Sequence, residues 1–324
     1  MTSTRALGAC AVALAAFLSC PASLTGQIPP PDSTVLSERY QGKVYSPYAG
    51  RGFPSQVFWG DTHLHTDLSM DAGAFGNRLG IDEAYRFAKG EEVIASSGQP
   101  AKLSRPLDWL VVADHSDNMG FFPDMLGGAP HILSDPTGRD WYDRIQAGDG
   151  VGVALELIGK FSQGEFPEAL LYTPESKPYK DAWSRTVELA EAHNDPGKFT
   201  AFIGYEWTSL VMGNNMHRVV VYRDGGDKGR QMVPMTTQPP AGSIKPRDLW
   251  TWLETYEART GGDVLAIAHN GNLANGIMFP LVEQYDGRTL DEEYVTKRAR
   301  WEPLYEVTQI KGDGETHPFL SPDD

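Results

Sequence analysis

Val57-Phe58-Trp59-Gly60-Asp61-Thr62-His63-Leu64-His65-Thr66-Asp67-Leu68-Ser69-Met70-Asp71 is the stretch on which the reading of this chain turns. It opens as an apolar strand and ends as a run of potential metal ligands. On an extended backbone His63 and His65 point to one face while Leu64 points to the other. Histidine is the commonest metal-ligating side chain, and a carboxylate such as Asp71 can complete a mixed nitrogen and oxygen site. A lone His-x-His is also what a polar strand edge looks like. Four further segments downstream, each an apolar strand beside His, Glu or Asp, give the metal reading its weight.

Working outward, the chain downstream alternates helix and strand. Ile81 to Lys89 has apolar residues at helical spacing, and Gly90 stops it. Trp109-Leu110-Val111-Val112-Ala113 is a continuous apolar run, as expected of a strand buried on both faces, and it ends in Asp114-His115. Strand, helix, strand suggests a right-handed crossover and a parallel sheet. Residues 119–178 break the rhythm with Gly, Pro and short helical pieces. An insertion of that length on the ligand-bearing side is expected to act as a lid or specificity element.

The alternation resumes with a helix from Ala182 to His193, then strand Phe199 to Tyr205, which delivers Glu206. His217 and the run Val219 to Tyr222 follow. A helix from Pro246 leads to strand Val264 to Ala268 and His269-Asn270. A charged helix from Asp291 to Arg300 precedes Leu304 to Val307, the sixth candidate strand. Ionisable residues at the C-terminal ends of most strands are what a barrel of parallel strands uses to build a site. His131 and His193 read as ordinary structural histidines. Trp207, Trp250, Trp252 and Trp301 read as packing residues.

Upstream, residues 1–26 resemble an export signal: Arg5, then an apolar run from Ala6 to Leu18 too short for a comfortable membrane span, with cleavage near Gly26. Leu18-Ser19-Cys20 has some likeness to a lipidation signal, but Phe17 fits that pattern poorly. The expected location is periplasmic or secreted. Both cysteines lie inside this segment, so a chain cut near Gly26 has no thiolate to offer a metal. Residues 27–56 read as an extended lead-in. A net charge of −15 in 324 residues argues against nucleic acid as a partner. It leaves room for a small anionic substrate held by a local cation cluster.

Thr62-His63-Leu64-His65-Thr66 with Asp71, Ala113-Asp114-His115, Gly204-Tyr205-Glu206, His217 and Ala268-His269-Asn270, in that order, resemble the PHP (polymerase and histidinol phosphatase) superfamily. Phe58 to Thr66 and Gly204-Tyr205-Glu206-Trp207-Thr208-Ser209 resemble its DUF3604 branch. The resemblance covers residues from about 55 onward. It implies a distorted (β/α)7 barrel, up to three divalent metal ions (Zn, Mn or Fe), and a hydrolase acting most often on phosphoesters through a metal-activated hydroxide.

Carried over residue by residue, it assigns His63 and His65 to a first metal and Glu206 as the bridge to a second held by His217 and His269. Asp71 and His115 fall to a third. Asp71 stands where many relatives have histidine, which makes that site harder. Asp114 becomes a partner orienting the cluster. Arg218, next to His217, could clamp a substrate oxygen, or could be buried against the helices because adjacent strand residues face opposite ways. The closing Asp-x-His pair of the superfamily is missing. Glu315-Thr316-His317 has a similar shape but reads as a surface loop, so the barrel is expected to be incomplete in this chain. Two rival readings are an amidohydrolase-type enzyme, against which the absence of a plausible bridging lysine speaks, and an exported barrel protein without catalysis.

Overall fold

The computed structural model describes residues 56–280, 287–314 and 319. The export signal, Cys20, the lead-in up to residue 55, and Glu315 and His317 lie outside the described residues.

The molecule is mixed α/β. Its strands are β1 (Gly60–Leu64), β2 (Trp109–Val112), β3 (Thr200–Phe202), β4 (Gly204–Trp207), β5 (Arg218–Tyr222), β6 (Val264–Ala268) and β7 (Leu304–Tyr305), with short two-residue hairpins between them. The lateral order is β1-β2-β3 in one sheet and β4-β5-β6-β7 in the other. The two are continuous. β3 and β4 follow one another through Ile203, and beyond β2 the ladder continues as a parallel bridge from His115 to Glu206. Gly204 sits at that switch, where a Cβ would run into the Val111 side chain and lie 2.8 Å from the Val220 carbonyl. A side chain there would prevent the strand from changing neighbours.

The result is a curled, open arc, and no closed barrel forms among the described residues. Two expectations are corrected here. The first strand is not Val57 to Trp59, whose side chains are largely exposed. It is Gly60–Leu64, the histidine-bearing segment itself. One residue more than in β2 is fitted between Asp61 and Leu64, a bulge of the kind that re-aims side chains beside functional sites. Nor is the sheet all parallel: β5 runs antiparallel to both β4 and β6. That reversal brings its N-terminal end, where His217 lies, to the edge reached by the C-terminal ends of its neighbours.

The arc is apolar on both faces. On the concave side Val111, Ala113, Val219 and Ile267 form one buried cluster, with Trp109, Phe202, Val221 and Leu265 packed against it. Side chains from β2 and β6 thus meet across the arc, as in the filled interior of a barrel. The convex side joins Leu110, Val112, Tyr205, Trp207, Val220 and Ala266 to the helices. Those helices are α1 (Met70–Ala74), α2 (Ile81–Ala88), α3 (Phe121–Leu126), α4 (Pro130–Ser134), α5 (Pro136–Gln146), α6 (Gly150–Gln163), α7 (Lys177–His193), α8 (Pro246–Thr260) and α9 (Glu292–Trp301), besides shorter turns.

Segment 119–178 is more ordered than its Gly and Pro content suggested. Asp135 caps α5 by accepting from Thr137 and Gly138, and Asp149 caps α6 by accepting from Gly152. Phe121, Trp141, Val153 and Leu157 are fully buried, so these helices share the main core. His131 and His193 have the structural roles expected. The first is bonded to the Tyr172 hydroxyl at 2.7 Å and the second to Asp82 at 2.9 Å. Trp207, Trp250 and Trp301 are buried in the core, with Trp252 packed against it.

Candidate metal centre

Strand alternation determines what reaches the concave rim. Tyr205 and Trp207 belong to the convex core, so Glu206 between them faces inward. Val219 lines the concave cluster, so His217 shares its face and Arg218 does not. The Glu206 carboxylate is fully buried, and five imidazoles surround it. On Oε1, His269 Nε2 lies at 2.6 Å, His217 Nδ1 at 2.7 Å and His63 Nε2 at 3.6 Å. On Oε2, His115 Nδ1 lies at 2.9 Å and His65 Nε2 at 3.0 Å.

Two more carboxylates hold the outer nitrogens. Asp71 Oδ1 is 2.9 Å from His65 Nδ1 and 3.5 Å from His115 Nε2, and Glu306 Oε2 is 2.8 Å from His63 Nδ1. All seven residues assigned to metals from the sequence therefore converge. His63 and His65 group with Glu206, and Asp71 with His115, as assigned, whereas His217 and His269 fall into different sets. The sets whose ligand atoms lie within 4.8 Å of one another are His63, His65 and Glu206; His63, His269 and Glu306; His65, Asp71 and His115; and His115, Glu206 and His217.

Glu306 was not among the expected ligands. The signal was present, since it directly follows a short apolar strand, the same pattern that marked Glu206 and His269. Lys311 was missed as well. Its Nζ lies 3.6 Å from Asp71 Oδ2, and nothing local distinguishes a loop lysine of this kind.

Asp114, expected to orient the cluster, bonds to the segment between His65 and Asp71. Buried there, Oδ1 accepts from Thr66 N at 2.6 Å and Ser69 Oγ at 2.8 Å, and Oδ2 accepts from Thr66 Oγ1 at 2.7 Å. Ser69 Oγ in turn accepts from His115 N at 3.0 Å. The loop between His65 and Asp71 is thereby tied to the end of β2. Arg218 takes the second of its two expected roles. It is fully buried, with Nε donating to Glu302 Oε1 at 3.0 Å and Nη1 to the Met216 carbonyl at 2.6 Å. A guanidinium paired on the helix side of β5 cannot clamp a ligand on the other side.

The electrostatics describe a site that demands positive charge. Burial opposes protonation of His63 and His65, but Glu206, with Glu306 for the first and Asp71 for the second, raises both to about 9. His115 is raised to about 10 against the same burial by Glu206 and Asp71. His269 is pushed down to about 3 and His217 is also lowered, because burial outweighs the pull of Glu206. Burial would lift Glu206, yet the surrounding imidazoles, His115 foremost, hold it well below the usual carboxylate range. His63, His65 and His115 are thus pulled towards their protonated forms where the carboxylates converge.

A metal ion satisfies the same demand with fewer bodies. The nitrogen–oxygen separations of 2.6–3.6 Å bracket the edge of a tetrahedron with bonds of about 2.0–2.1 Å, which is about 3.3 Å. His217 Nε2 and His269 Nδ1 are buried without a hydrogen-bond partner among the described residues. Unpaired polar atoms in a low-dielectric interior are costly unless something binds them. The donor set, all imidazole and carboxylate, suits Zn, Mn or Fe.

Two cavities flank the cluster. A groove of about 780 Å3 is lined by His63, His65, Asp71, Phe75, Glu306 and Lys311, among others. On another side a cavity of about 430 Å3 is bounded by His115, Thr208, Thr237 and residues 161–164 at the end of α6. The inserted helices therefore contribute a wall beside His115.

Among known proteins, a family model described as "Protein of unknown function (DUF3604)" matches residues 52–324. No curated protein and no solved structure matches.

Proposed function

The chain belongs to the DUF3604 family, and from the site it carries we propose that it is a metal-dependent hydrolase, acting on phosphoesters. The observation that carries this reading is the buried Glu206 carboxylate met by five imidazoles from four separate segments, with Asp71 and Glu306 holding the outer rank. Such a nest is expensive to bury for structural purposes alone, since apolar side chains would fill the space at lower cost. The ordered likeness to PHP-superfamily motifs supports phosphoester substrates and a barrel-derived frame. The Arg5 and apolar opening of the chain supports export to the periplasm or beyond.

In this reading His63, His65, Asp71, His115, Glu206, His217, His269 and Glu306 hold the ions. Bound divalent ions lower the pKa of water from about 16 to about 7 and neutralise phosphoryl oxygens. The chain's own work is orientation. Glu306 fixes the His63 ring by its bond to Nδ1, so that Nε2 points at Glu206, and Asp71 does the same for His65. Outer partners such as Glu306 and Asp71 set the tautomer and basicity of metal-binding histidines. On His115, Thr208 Oγ1 lies 2.8 Å from Nδ1, the same nitrogen that faces Glu206. The concave cluster beneath keeps bulk water from the buried side of Glu206.

Elemental analysis of the purified protein, followed by a screen of phosphate mono- and diesters with Zn, Mn or Fe added, tests this function. At least one transition metal per chain and turnover of an ester that is lost in Glu206→Gln are expected. A folded protein with no metal above background and no gain on metal addition would overturn it.

A further inference from the structure

The groove over the cluster has a composition that speaks to what enters it. Its inner wall is acidic and imidazole-rich, with His63, His65, Asp71 and Glu306. Its rim carries one lysine and exposed apolar side chains. Phe75, at the C-terminal end of α1, is 56 % exposed, and Ile310 is 99 % exposed. Ile310 and Lys311 sit at the turn of a hairpin that pairs Thr308 and Gln309 with Asp313 and Gly312.

That turn is anchored. Asn272 Nδ2 donates to the Lys311 carbonyl at 3.1 Å, Gln309 Nε2 to Asn270 Oδ1 at 3.0 Å, and Gly271 N to the Tyr305 hydroxyl at 3.0 Å. Lys311 is thus held by the loop that follows His269. Its side chain is 38 % exposed, with Nζ 3.6 Å from Asp71 Oδ2.

Resting on the hydrolase reading above, we propose that Lys311, Phe75 and Ile310 are the substrate-recognising rim of this groove. The substrate they fit is an anionic ester whose esterified group is apolar or aromatic. Asp71 is the carboxylate nearest the lysine and also belongs to a ligand set with His65 and His115. Once its charge is shared with a bound cation, the Lys311 ammonium is left at the groove mouth with charge to offer an incoming anion. An ammonium is a point charge that binds phosphate oxygens without demanding one orientation. Phe75 and Ile310 gain nothing from water. An organic group laid against them removes apolar area from solvent on both sides.

The test uses phosphonates, whose P–C bond a phosphoesterase does not cut, so binding is read apart from chemistry. Phenylphosphonate and methylphosphonate are titrated calorimetrically into manganese-loaded protein whose metal content is measured on the same sample. Phenylphosphonate should bind more tightly, by about tenfold for partial burial of a ring. Lys311→Met should weaken both ligands about tenfold, with Lys311→Arg restoring most of the loss and thermal melts confirming that each variant folds. Phe75→Ser with Ile310→Ser should abolish the preference and leave methylphosphonate binding unchanged. Equal affinities for the two phosphonates, or unchanged binding by Lys311→Met, overturns the proposal while the metal reading stands. Failure of both phosphonates to bind metal-loaded protein overturns it too. A protein that retains none of Mn, Zn or Fe removes the hydrolase reading itself, and the rim with it.

Discussion

Glu206 carries its charge shut off from bulk solvent, so the imidazoles around it determine whether the residue is tolerable. Removing that charge strands their protons. Without added metal, Glu206→Gln should lower stability by about 3–5 kcal/mol, the usual cost of breaking a buried pair from one side, as read by denaturant melts. The histidines also set a pH dependence. Folded pKa values of about 9 for His63 and His65 and about 10 for His115 lie above the ordinary 6.5. Their contribution to metal-free stability is therefore fully present below pH 6.5 and lost as the pH rises through 9 to 10. Metal competes for the same nitrogens, so apparent affinity should climb across that window, with protons released on binding. Metal titrations at pH 7 and pH 9 check it; equal affinities at the two would contradict the pairing described. His63→Ala with His65→Ala should remove most bound metal, as measured by elemental analysis.

At the scale of elements, β5 decides two things at once. Running antiparallel between β4 and β6, it presents His217 to the cluster and sends Arg218 to the opposite face. There Glu302, the residue that follows α9, takes Arg218 at 3.0 Å and the Trp250 indole N–H at 2.9 Å. Glu302→Ala should leave a buried guanidinium unpaired and cost about 3–5 kcal/mol. Metal content at low temperature should stay near that of the unmodified chain. A variant that keeps its melting temperature but loses metal would place Arg218 in the site after all. Single-sequence reading placed both residues correctly in the chain and left open which way Arg218 faced. Orientation within a strand depends on which face the neighbouring strands bury, and for Arg218 that came from Val219 and Trp207 packing on opposite sides.

For the whole molecule, the ligands come from β1, α1, the end of β2, β4, the start of β5, the end of β6 and the residue after β7. Ions bound there tie together segments that the unfolded chain holds far apart, and the unfolded chain binds them weakly. Saturating metal should therefore raise stability, by about 2.7 kcal/mol at a free concentration one hundred times Kd. Thermal melts with and without Mn or Zn, the latter in chelator, read this directly. A melting temperature indifferent to metal would mean that the cluster is structural and holds protons only.

The residues at strand ends determined by themselves that a histidine and carboxylate site exists: alternation and apolar runs are local properties, and His63, His65, Asp71, His115, Glu206, His217 and His269 could be read from them. The order of strands and helices was legible for the same reason, down to the helix that starts at Pro246. Glu306 lay within reach of that rule, but Leu304 to Val307 read as one strand with Glu306 inside it, whereas the strand ends at Tyr305. Other features belonged to the tertiary structure alone. The open arc, the reversed β5, the helical order of residues 119–178 and the approach of Lys311 to Asp71 all depend on contacts between segments far apart in sequence. Such contacts are chosen by shape and burial across the whole core, and no window of neighbouring residues contains them.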